Sequence, residues 1–458
     1  MHTRTFFASR AARRGAARLA LCLACLAPFA TAARAQAKGD LERDRNRGRA
    51  MLEFIRDYLK SDYYDPKYHG MDIEARFRAA DAKVMEAQSL GQVLGIIAQA
   101  LSELNDSHTF FIPPPRPVDV DYGWKMQAVG ERVFVTAVKP GSDAEAQGLR
   151  PGDEVLSVDG FRPTRATLWK IEYNYNVLRP QPGKRVVVRS PDGAERELAL
   201  KAKVEKLDKA VNLVQLFNEY DGEREDAKKL PRFQELGEGA EGIFVWKLRE
   251  FGFTDSKVDE MISKARRHRA LVLDLRGNPG GAVKTLQRML GYVFDRDVKI
   301  GELKRRKETK ALTAKTRGGD KVFKGALVVL VDSDSGSAAE LFARVVQIEK
   351  RGTVVGDRTS GAVMLSFVRP GMLGDESSGN MIPYGLSVTD ADIILTDGRS
   401  LEHTGVTPDV TVLPTPADLR ERRDPALARA VELAGGQLTP ERAGTLFPPE
   451  VELRSTRH

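Results

Sequence analysis

A serine and a glutamate, Ser337 and Glu340, stand three residues apart where the apolar run ALVVLV gives way to a helical pattern. The S-x-x-E spacing is typical of a capping box, in which the serine caps the helix and the glutamate reciprocates. A serine there also feels the positive end of the helix dipole, and the N–H of Ala338 can stabilise an oxyanion. The pattern fits a helix cap and a nucleophile equally, and a nucleophile needs a base.

The turn DLRGNPGG, residues 274–281, follows a buried apolar run and precedes a helical pattern. Its glycines allow backbone N–H groups to face a cavity, which suits a phosphate or a developing oxyanion. A nucleotide-binding P-loop would need Gly-Lys-Ser/Thr at a fixed spacing, and Lys284 lies too far along the chain. An oxyanion site and a purely structural turn remain open.

Five histidines outside the N-terminal segment could serve as the base. They are His69, His108, His268, His403 and His458. His108 follows the stretch LNDS where a helical pattern ends, and His403 follows Glu402 in the stretch RSLEHTGVTPDV. Because a lone histidine is often structural, these positions do not identify the base by themselves.

Composition excludes several classes of protein. The chain has 458 residues, which predicts two to four domains, and a formal charge of +8. Six arginines and no acidic residues lie within 1–35, so about +2 remains elsewhere and nucleic acid is not an expected partner. Both cysteines, Cys22 and Cys25, lie in that segment, which excludes disulfides and thiolate metal sites from the rest.

Residues 1–35 have the pattern of a secretory signal peptide. Arginines precede the apolar stretch LALCLACLAPFATA, and Ala33-Arg34-Ala35 forms an A-x-A cleavage site. The apolar stretch is too short for a comfortable membrane span. We therefore expect a bacterial protein secreted across the inner membrane, in the periplasm, with no integral membrane span after signal removal.

The periodicity of apolar residues divides the rest of the chain. Residues 40–118 are predicted to be helical, and residues 119–205 carry short strands with period two. Residues 206–240 are predicted to be a linker or mobile insert. Strands and helices then alternate over 241–415, which predicts an α/β core, before a polar, partly helical tail over 416–458.

The stretch VKPGSDAEAQGLRPGDEVLSVDG within 119–205 resembles a bacterial PDZ domain. PDZ domains bind a peptide C-terminus as an added edge strand, with the carboxylate in a loop of backbone N–H groups. By this resemblance the loop would contain Tyr122, Gly123 and Trp124, which are the predicted substrate-binding residues.

Six motifs occur together and in order: LNDSHT, the PDZ-like stretch, LVLDLRGNPGG, LVVLVDSDSGSAAELFA, VVGDRTSG and LEHTGVTPDV. With them the chain resembles the C-terminal processing and tricorn-like serine peptidases over residues 45–413. The resemblance implies a crotonase-like α/β peptidase core with an N-terminal helical segment and an inserted, mostly-β PDZ-like domain. It also implies Ser337 as nucleophile and the N–H groups of Gly280 and Ala338 as the oxyanion hole.

The chain departs from the processing peptidases at their catalytic lysine. Ala362 stands at the lysine position and Ser366 at the position of an accompanying glutamine. Arg358 lies close in sequence but stays protonated, so it cannot be a base.

The tricorn-like branch instead uses a histidine beside a serine, supported by a glutamate, and this chain matches with Ser107, His108 and Glu402. The resemblance thus implies His108 as the base, with Asp106 as an alternative orienting group and His403 as an alternative base.

The sequence therefore predicts an exported serine endopeptidase of the C-terminal processing and tricorn-like kind that uses an acyl-enzyme. Its partner would be a polypeptide substrate, engaged by the PDZ-like domain at its C-terminus, and no cofactor or metal is expected. One alternative is an inactive peptidase-fold scaffold that binds protein C-termini. Another is a lipid or retinoid binder similar to interphotoreceptor retinoid-binding protein. The oligomeric state is left open.

Overall fold

The computed structural model describes residues 39–206, 232–373 and 381–447. The predicted signal peptide, residues 1–35, lies outside the described residues, as does most of the predicted linker. Within that predicted linker, however, residues Arg232–Leu236 form a strand that pairs antiparallel with the next one. Phe233 stacks on buried Phe244 across this pair, so an aromatic contact anchors a segment that its charged composition did not identify.

The N-terminal part contains three helices and a short strand. They are α1 (39–62), α2 (Ile73–Glu86), α3 (Leu90–Ser102) and β1 (Phe110–Ile112). Side-chain oxygens of Asp72 and Ser89 accept N–H groups in the first turns of α2 and α3, as expected of N-cap residues. The apolar faces meet in one cluster around Ile55 and Ile97.

The second part is a mostly-β domain. Its elements are β2 (Val118–Asp121), β3 (Trp124–Val129), β4 (Arg132–Val138), α4 (Asp143–Ala146), β5 (Glu154–Val158), α5 (Leu168–Glu172), β6 (Gly183–Arg189), β7 (Glu195–Lys201) and β8 (Lys203–Lys206). Strands β3 to β7 form an antiparallel sheet in chain order, with β3 at one edge, while β2 pairs with β8. Helix α5 continues into a π-helix over Tyr173–Leu178.

The third part is an α/β core. Its elements are β9 (Arg232–Leu236), β10 (Ile243–Lys247), α6 (Asp255–Ala265), β11 (Ala270–Asp274), α7 (Val283–Val293), β12 (Val298–Arg305), β13 (Thr309–Ala314), β14 (Ala326–Val331), α8 (Ala338–Ile348), β15 (Thr353–Gly356), β16 (Met364–Leu373), β17 (Ile382–Leu395) and β18 (Val410–Thr411). Six strands form a sheet in the order β18-β15-β14-β11-β10-β9, parallel except for β9.

Residues on alternate sides of this sheet enter different cores. Leu271 and Val329 face α7 and α8, whereas Val272 and Leu330 face the C-terminal helices. The C-terminal helices are α9 (Pro416–Glu421), α10 (Pro425–Leu433) and α11 (Pro440–Leu446), of which α10 and α11 pack on this side of the sheet. A second, antiparallel sheet has the strand order β1-β17-β12-β13, with β16 also paired to β17, and it joins the N-terminal part to the core. The structure confirms the predicted α/β core with helical and mostly-β parts.

Candidate active site

Ser337 lies at the junction between a buried parallel strand and a helix, at the end of the loop from β14 to α8. Its backbone has φ 50° and ψ −116°, a region that residues with a side chain rarely occupy. Two acceptors hold its N–H group, the carbonyl of Ala362 at 2.9 Å and Oε2 of Glu340 at 3.0 Å. A strained, doubly held serine on a strand–turn–helix is a geometry that nucleophiles use.

The glycine-rich turn packs directly on Ser337 because β11 and β14 are neighbours and end at the same edge of the sheet. A Cβ atom on Gly280 would lie 2.6 Å from Cβ of Ser337 and 2.9 Å from the backbone nitrogen of Ala338. Only a residue without a side chain fits there, so the turn and the helix start form one surface beside the serine.

The predicted oxyanion donor Gly280 is committed elsewhere. Its N–H donates to Oδ1 of Asn278 at 2.8 Å, and the buried Asn278 amide in turn donates to the carbonyl of Leu248. The next amide in the turn, that of Gly281, has no acceptor among the described residues. Gly280 as an oxyanion donor stays a prediction, and it would require the bond between its N–H and the Asn278 side chain to break.

Glu340 is fully buried and gathers the loops around Ser337. Besides the N–H of Ser337, its carboxylate accepts the N–H groups of Gly361 at 2.9 Å and Ala362 at 3.0 Å. The hydroxyls of Thr359 and Ser360 donate to it as well. Burial raises the pKa of Glu340 to about 7, and the hydrogen bonds from Thr359 and from the N–H groups of Gly361, Ala362 and Ser337 oppose that rise.

Ser107, His108 and Glu402 are brought together although they come from distant parts of the chain. Ser107 donates its N–H to Oε1 of Glu402 at 2.7 Å and its hydroxyl to Oε2 at 2.9 Å. The same hydroxyl lies 2.7 Å from Nδ1 of His108. Because its one proton goes to Glu402, the hydroxyl accepts from Nδ1–H, which leaves Nε2 of His108 as a lone-pair acceptor.

The electrostatics of this group favour a neutral imidazole. Burial lowers the pKa of His108, while the charge of Asp106 raises it by a smaller amount. Burial raises the pKa of Glu402, against the donors from Val363 and Ser107. A neutral histidine with a free Nε2 is the form that can accept a proton.

Asp106 holds the loop that carries His108. It is buried, and Oδ1 accepts the N–H groups of His108 at 2.9 Å and Thr109 at 2.7 Å and the hydroxyl of Thr389 at 2.8 Å. Oδ2 accepts the hydroxyl of Tyr63 at 2.7 Å. Asp106 therefore fixes the backbone of His108 rather than its ring, which is not the orienting role considered from the sequence.

One peptide group links the serine half to the histidine half. The carbonyl of Ala362 accepts the N–H of Ser337 at 2.9 Å, and the N–H of Val363, in the same peptide group, donates to Oε2 of Glu402 at 2.9 Å. Within the described residues no hydrogen bond joins His108 directly to Ser337. Such contacts are often longer in the absence of substrate.

The other candidates are engaged elsewhere. Nε2 of the half-exposed His403 lies 2.7 Å from the carbonyl of Asn105. Arg358 donates to Glu131. Ala362 stands where the lysine of processing peptidases would be, and its backbone serves Ser337 and Glu340.

The three residues predicted to bind substrate lie at the edge of the mostly-β domain. Tyr122 is buried, and its hydroxyl donates to the carbonyl of Tyr175 and accepts from the N–H of Gln181. The N–H of Gly123 donates to Asp121, and Trp124 begins edge strand β3. Two of the three are thus held by bonds within the domain, and their role in binding stays a prediction.

The mostly-β domain contacts the loop that leads to Ser337. The amide of Gln127 on β3 donates to Oδ2 of Asp332 at 2.7 Å, and the hydroxyl of Ser333 donates to the carbonyl of Ala128 at 2.6 Å. Asp332 also accepts the N–H of Gly277 in the glycine-rich turn at 2.9 Å. Sequence reasoning missed Asp332, because the partners that join it to the other loops, Gln127 and Gly277, are more than 50 residues away along the chain.

Within the described ranges, no helix has the length and apolar character needed to cross a bilayer. The same ranges contain no cluster of three or more His, Cys, Asp or Glu side chains suited to hold a metal ion.

Comparisons with known proteins agree with this architecture. Residues 242–412 match the model of peptidase family S41, and residues 120–172 match that of the PDZ domain. A probable CtpA-like serine protease of Staphylococcus aureus (strain N315) is 25% identical over 297 residues, which cover 64% of this chain and 52% of that protein. One of Staphylococcus haemolyticus (strain JCSC1435) is 24% identical over 301 residues, with the same coverage. The chain spans about half the length of these relatives.

Solved structures share the fold. Mature CPAF superposes with a TM-score of 0.61 at 15% identity, covering 82% of this chain and 94% of that one. The photosystem II D1 C-terminal processing protease gives 0.50 at 20% identity, covering 86% and 99%. The match to peptidase family S41 includes the Ser337 loop and the glycine-rich turn, and the match to the PDZ domain covers residues 120–172 of the mostly-β domain. The chain therefore contains a region that matches peptidase family S41 and a region that matches the PDZ domain, and it is similar to C-terminal processing serine proteases.

Proposed function

We propose that the protein is an exported serine endopeptidase in which Ser337 attacks the peptide carbonyl and His108 is the base. The observation that carries the proposal is the link through the Ala362–Val363 peptide group, which ties a strained serine to a His108–Ser107–Glu402 relay. Export rests on the signal-like pattern of residues 1–35.

The chemistry follows from the free lone pair on Nε2. As Oγ of Ser337 bonds to the carbonyl carbon, its proton passes to His108, and Glu402 stabilises the imidazolium through Ser107. When the C–N bond breaks, His108 returns that proton to the leaving amine. Water then loses a proton to the same histidine as it attacks the ester carbonyl. When the C–O bond to Ser337 breaks, His108 returns this proton to Oγ and the carboxylic acid product leaves.

The negative oxygen of the tetrahedral intermediate would be held by two backbone amides. Ala338 supplies the first N–H of α8, one of those without an acceptor inside the helix. Gly281 supplies the second, in place of Gly280, whose N–H is held by Asn278. The PDZ domain would engage a polypeptide substrate, with its C-terminus near Tyr122, Gly123 and Trp124.

Labelling with a fluorophosphonate probe tests the nucleophile and the base. We expect residues 36–458 to be labelled, Ser337→Ala to abolish labelling, and His108→Ala to slow it by about 10²–10⁴-fold. His403→Ala is the matched control and should label at the wild-type rate. Labelling that survives His108→Ala but not His403→Ala would contradict the assigned base.

A binding scaffold is the second candidate, and the lack of a direct bond between His108 and Ser337 within the described residues favours it. It predicts no labelling of wild type together with measurable affinity of the PDZ domain for peptides. Wild-type labelling that depends on His108 would exclude it.

A further inference from the structure

A cavity lies between helix α5 of the PDZ domain, with its π-helical continuation, and the loop that precedes His108. Its volume is about 310 Å³, near the lower end of the usual range for ligand pockets, about 300–1,000 Å³. Ala98, Ser107 and Phe110 form the wall on the peptidase side, and Trp169, Tyr173 and Val177 form the wall on the PDZ side. A pocket of this size fits a large side chain rather than a folded segment.

We propose that this cavity receives a large apolar side chain of the polypeptide substrate, close to the bond that is cleaved. This inference rests on the proposed function and adds a specificity site to it. The position carries the argument, because Ser107 lines the cavity and lies 2.7 Å from the ring of His108. An occupant is therefore within a few ångströms of the relay.

The surface of the cavity is built for an apolar occupant. Trp169 and Val177 remain 46% and 38% exposed, although covering apolar surface of this kind is favourable. Phe110 and Tyr173 meet edge to face across the two walls, with ring centroids 6.3 Å apart. Glu172 on the PDZ wall opposes an acidic side chain, which adds discrimination.

The backbone supplies an independent observation. The PDZ-side wall includes the π-helix Tyr173–Leu178, and π-helical turns are rare and frequent at functional sites. The hydroxyl of Tyr173 donates to the carbonyl of Phe111 and so ties this turn to the peptidase part. The wall is thus fixed against the loop of Ser107 and is not a loose surface.

Matched peptide substrates test the proposal. Internally quenched peptides that differ only by Phe, Ala or Asp at one position are compared at successive positions around the cleavage site. We expect one position at which kcat/KM for Phe exceeds that for Ala by roughly 10- to 200-fold, with Asp lower still. Trp169→Ala and Val177→Asp should each reduce this Phe-to-Ala ratio to about threefold or less.

Phe161→Ala is the control, since Phe161 is exposed on the same domain but away from the cavity, and it should keep the wild-type ratio. A ratio unchanged in both cavity variants overturns the proposal. The ratio cancels effects on overall activity, and the second variant serves if the first does not fold.

A binding arm separates this proposal from the proposed function. In Ser337→Ala, a Phe-containing peptide should shift tryptophan emission, and Trp169→Phe in that background should remove the shift. Emission that responds without any wild-type labelling keeps the cavity and overturns the peptidase. Wild-type labelling with no change in tryptophan emission, and with no preference for Phe, supports the peptidase and overturns the proposed role of the cavity.

Discussion

Two buried carboxylates, Glu340 and Asp106, organise the two halves of the proposed active site in different ways. Glu340 collects five donors from Ser337 and the segment 359–362, all within the α/β core. Asp106 collects four donors from its own loop, from Tyr63 on the N-terminal part and from Thr389 on the second sheet. The serine half is formed by one part of the molecule, whereas the histidine half needs two parts, the N-terminal part and the α/β core, to assemble.

The two carboxylates also differ in how their partners are fixed. Both oxygens of Glu340 accept backbone N–H groups, and backbone donors cannot reverse. At Asp106 only Oδ1 accepts backbone N–H groups, while Oδ2 accepts a tyrosine hydroxyl that can rotate. Replacing the carboxylate by its amide should therefore be severe at Glu340 and mild at Asp106.

The largest effect is expected for Glu340→Gln. Whichever way the amide turns, its NH₂ group faces at least one backbone N–H, so buried donors lose their acceptor. We expect a loss of about 3 kcal/mol in the free energy of unfolding, measured by chemical denaturation. A displaced Ser337 should also slow fluorophosphonate labelling by about 100-fold.

Glu260→Gln is the matched control for that substitution. Glu260 pairs with Lys257 and Lys264 on the exposed side of α6, and its denaturation midpoint should stay at the wild-type value. Equal stability of the two variants would contradict the idea that Glu340 holds the loops around Ser337.

Asp106→Asn should be mild, and Asp106→Ala severe. In the asparagine variant Oδ1 keeps its three donors, and the NH₂ group donates to Tyr63, whose hydroxyl can turn toward Nε2 of His69, 3.0 Å away. We expect a loss of about 1 kcal/mol for Asn and about 3 kcal/mol for Ala. Labelling of the Asn variant should stay within about tenfold of wild type. An Asn variant as damaged as Ala would break the contrast with Glu340.

The pH profile of labelling separates the charge of Asp106 from its hydrogen bonds. Burial lowers the pKa of His108 from its ordinary value, so the base stays neutral in more acidic solution than a free histidine, and labelling falls only where the ring protonates. Because the charge of Asp106 raises this pKa, Asp106→Asn should move the acid limb to lower pH. Glu402 is the same in both proteins and cannot cause the shift. An acid limb at the same pH in both proteins would mean that Asp106 only positions the His108 loop and that its charge does not affect the pKa of His108.

Whether the hydrogen bonds of Glu340 and Asp106 can be predicted from sequence depends on how far apart the partners lie along the chain. The S-x-x-E spacing predicted the bond between Glu340 and Ser337, because both lie on one helical turn. It did not predict the donors of segment 359–362, which approach only when β15 pairs beside β14. Asp106 has a local half as well, since its bonds to the N–H groups two and three residues on form a common Asx turn.

The relay was predictable only by resemblance. Nothing in spacing places Glu402 beside Ser107, 295 residues away, and only the motifs DSHT and LEHTG together suggested it. The oxyanion donor shows the opposite limit, because the motif located the turn but the Asn278 side chain decides which glycine N–H is free. This competition is local, since Asn278 accepts the N–H two residues on as in an Asx turn, but the periodicity of apolar residues does not reveal it.

The smallest effect on labelling is expected for Tyr63→Phe, which removes one donor from Asp106 and leaves the rest. Tyr63 is fully buried, and its hydroxyl is the donor to Oδ2 among the described residues. We expect the free energy of unfolding to fall by about 1–2 kcal/mol, since a buried carboxylate oxygen loses its partner. Labelling should change by less than about threefold, because Oδ1 still holds the N–H groups of His108 and Thr109. Chemical denaturation and the labelling rate, measured on the same preparation, separate the two quantities. If labelling fell by more than tenfold, the N-terminal helical part would control the position of His108, and its assembly with the α/β core would itself switch on the site.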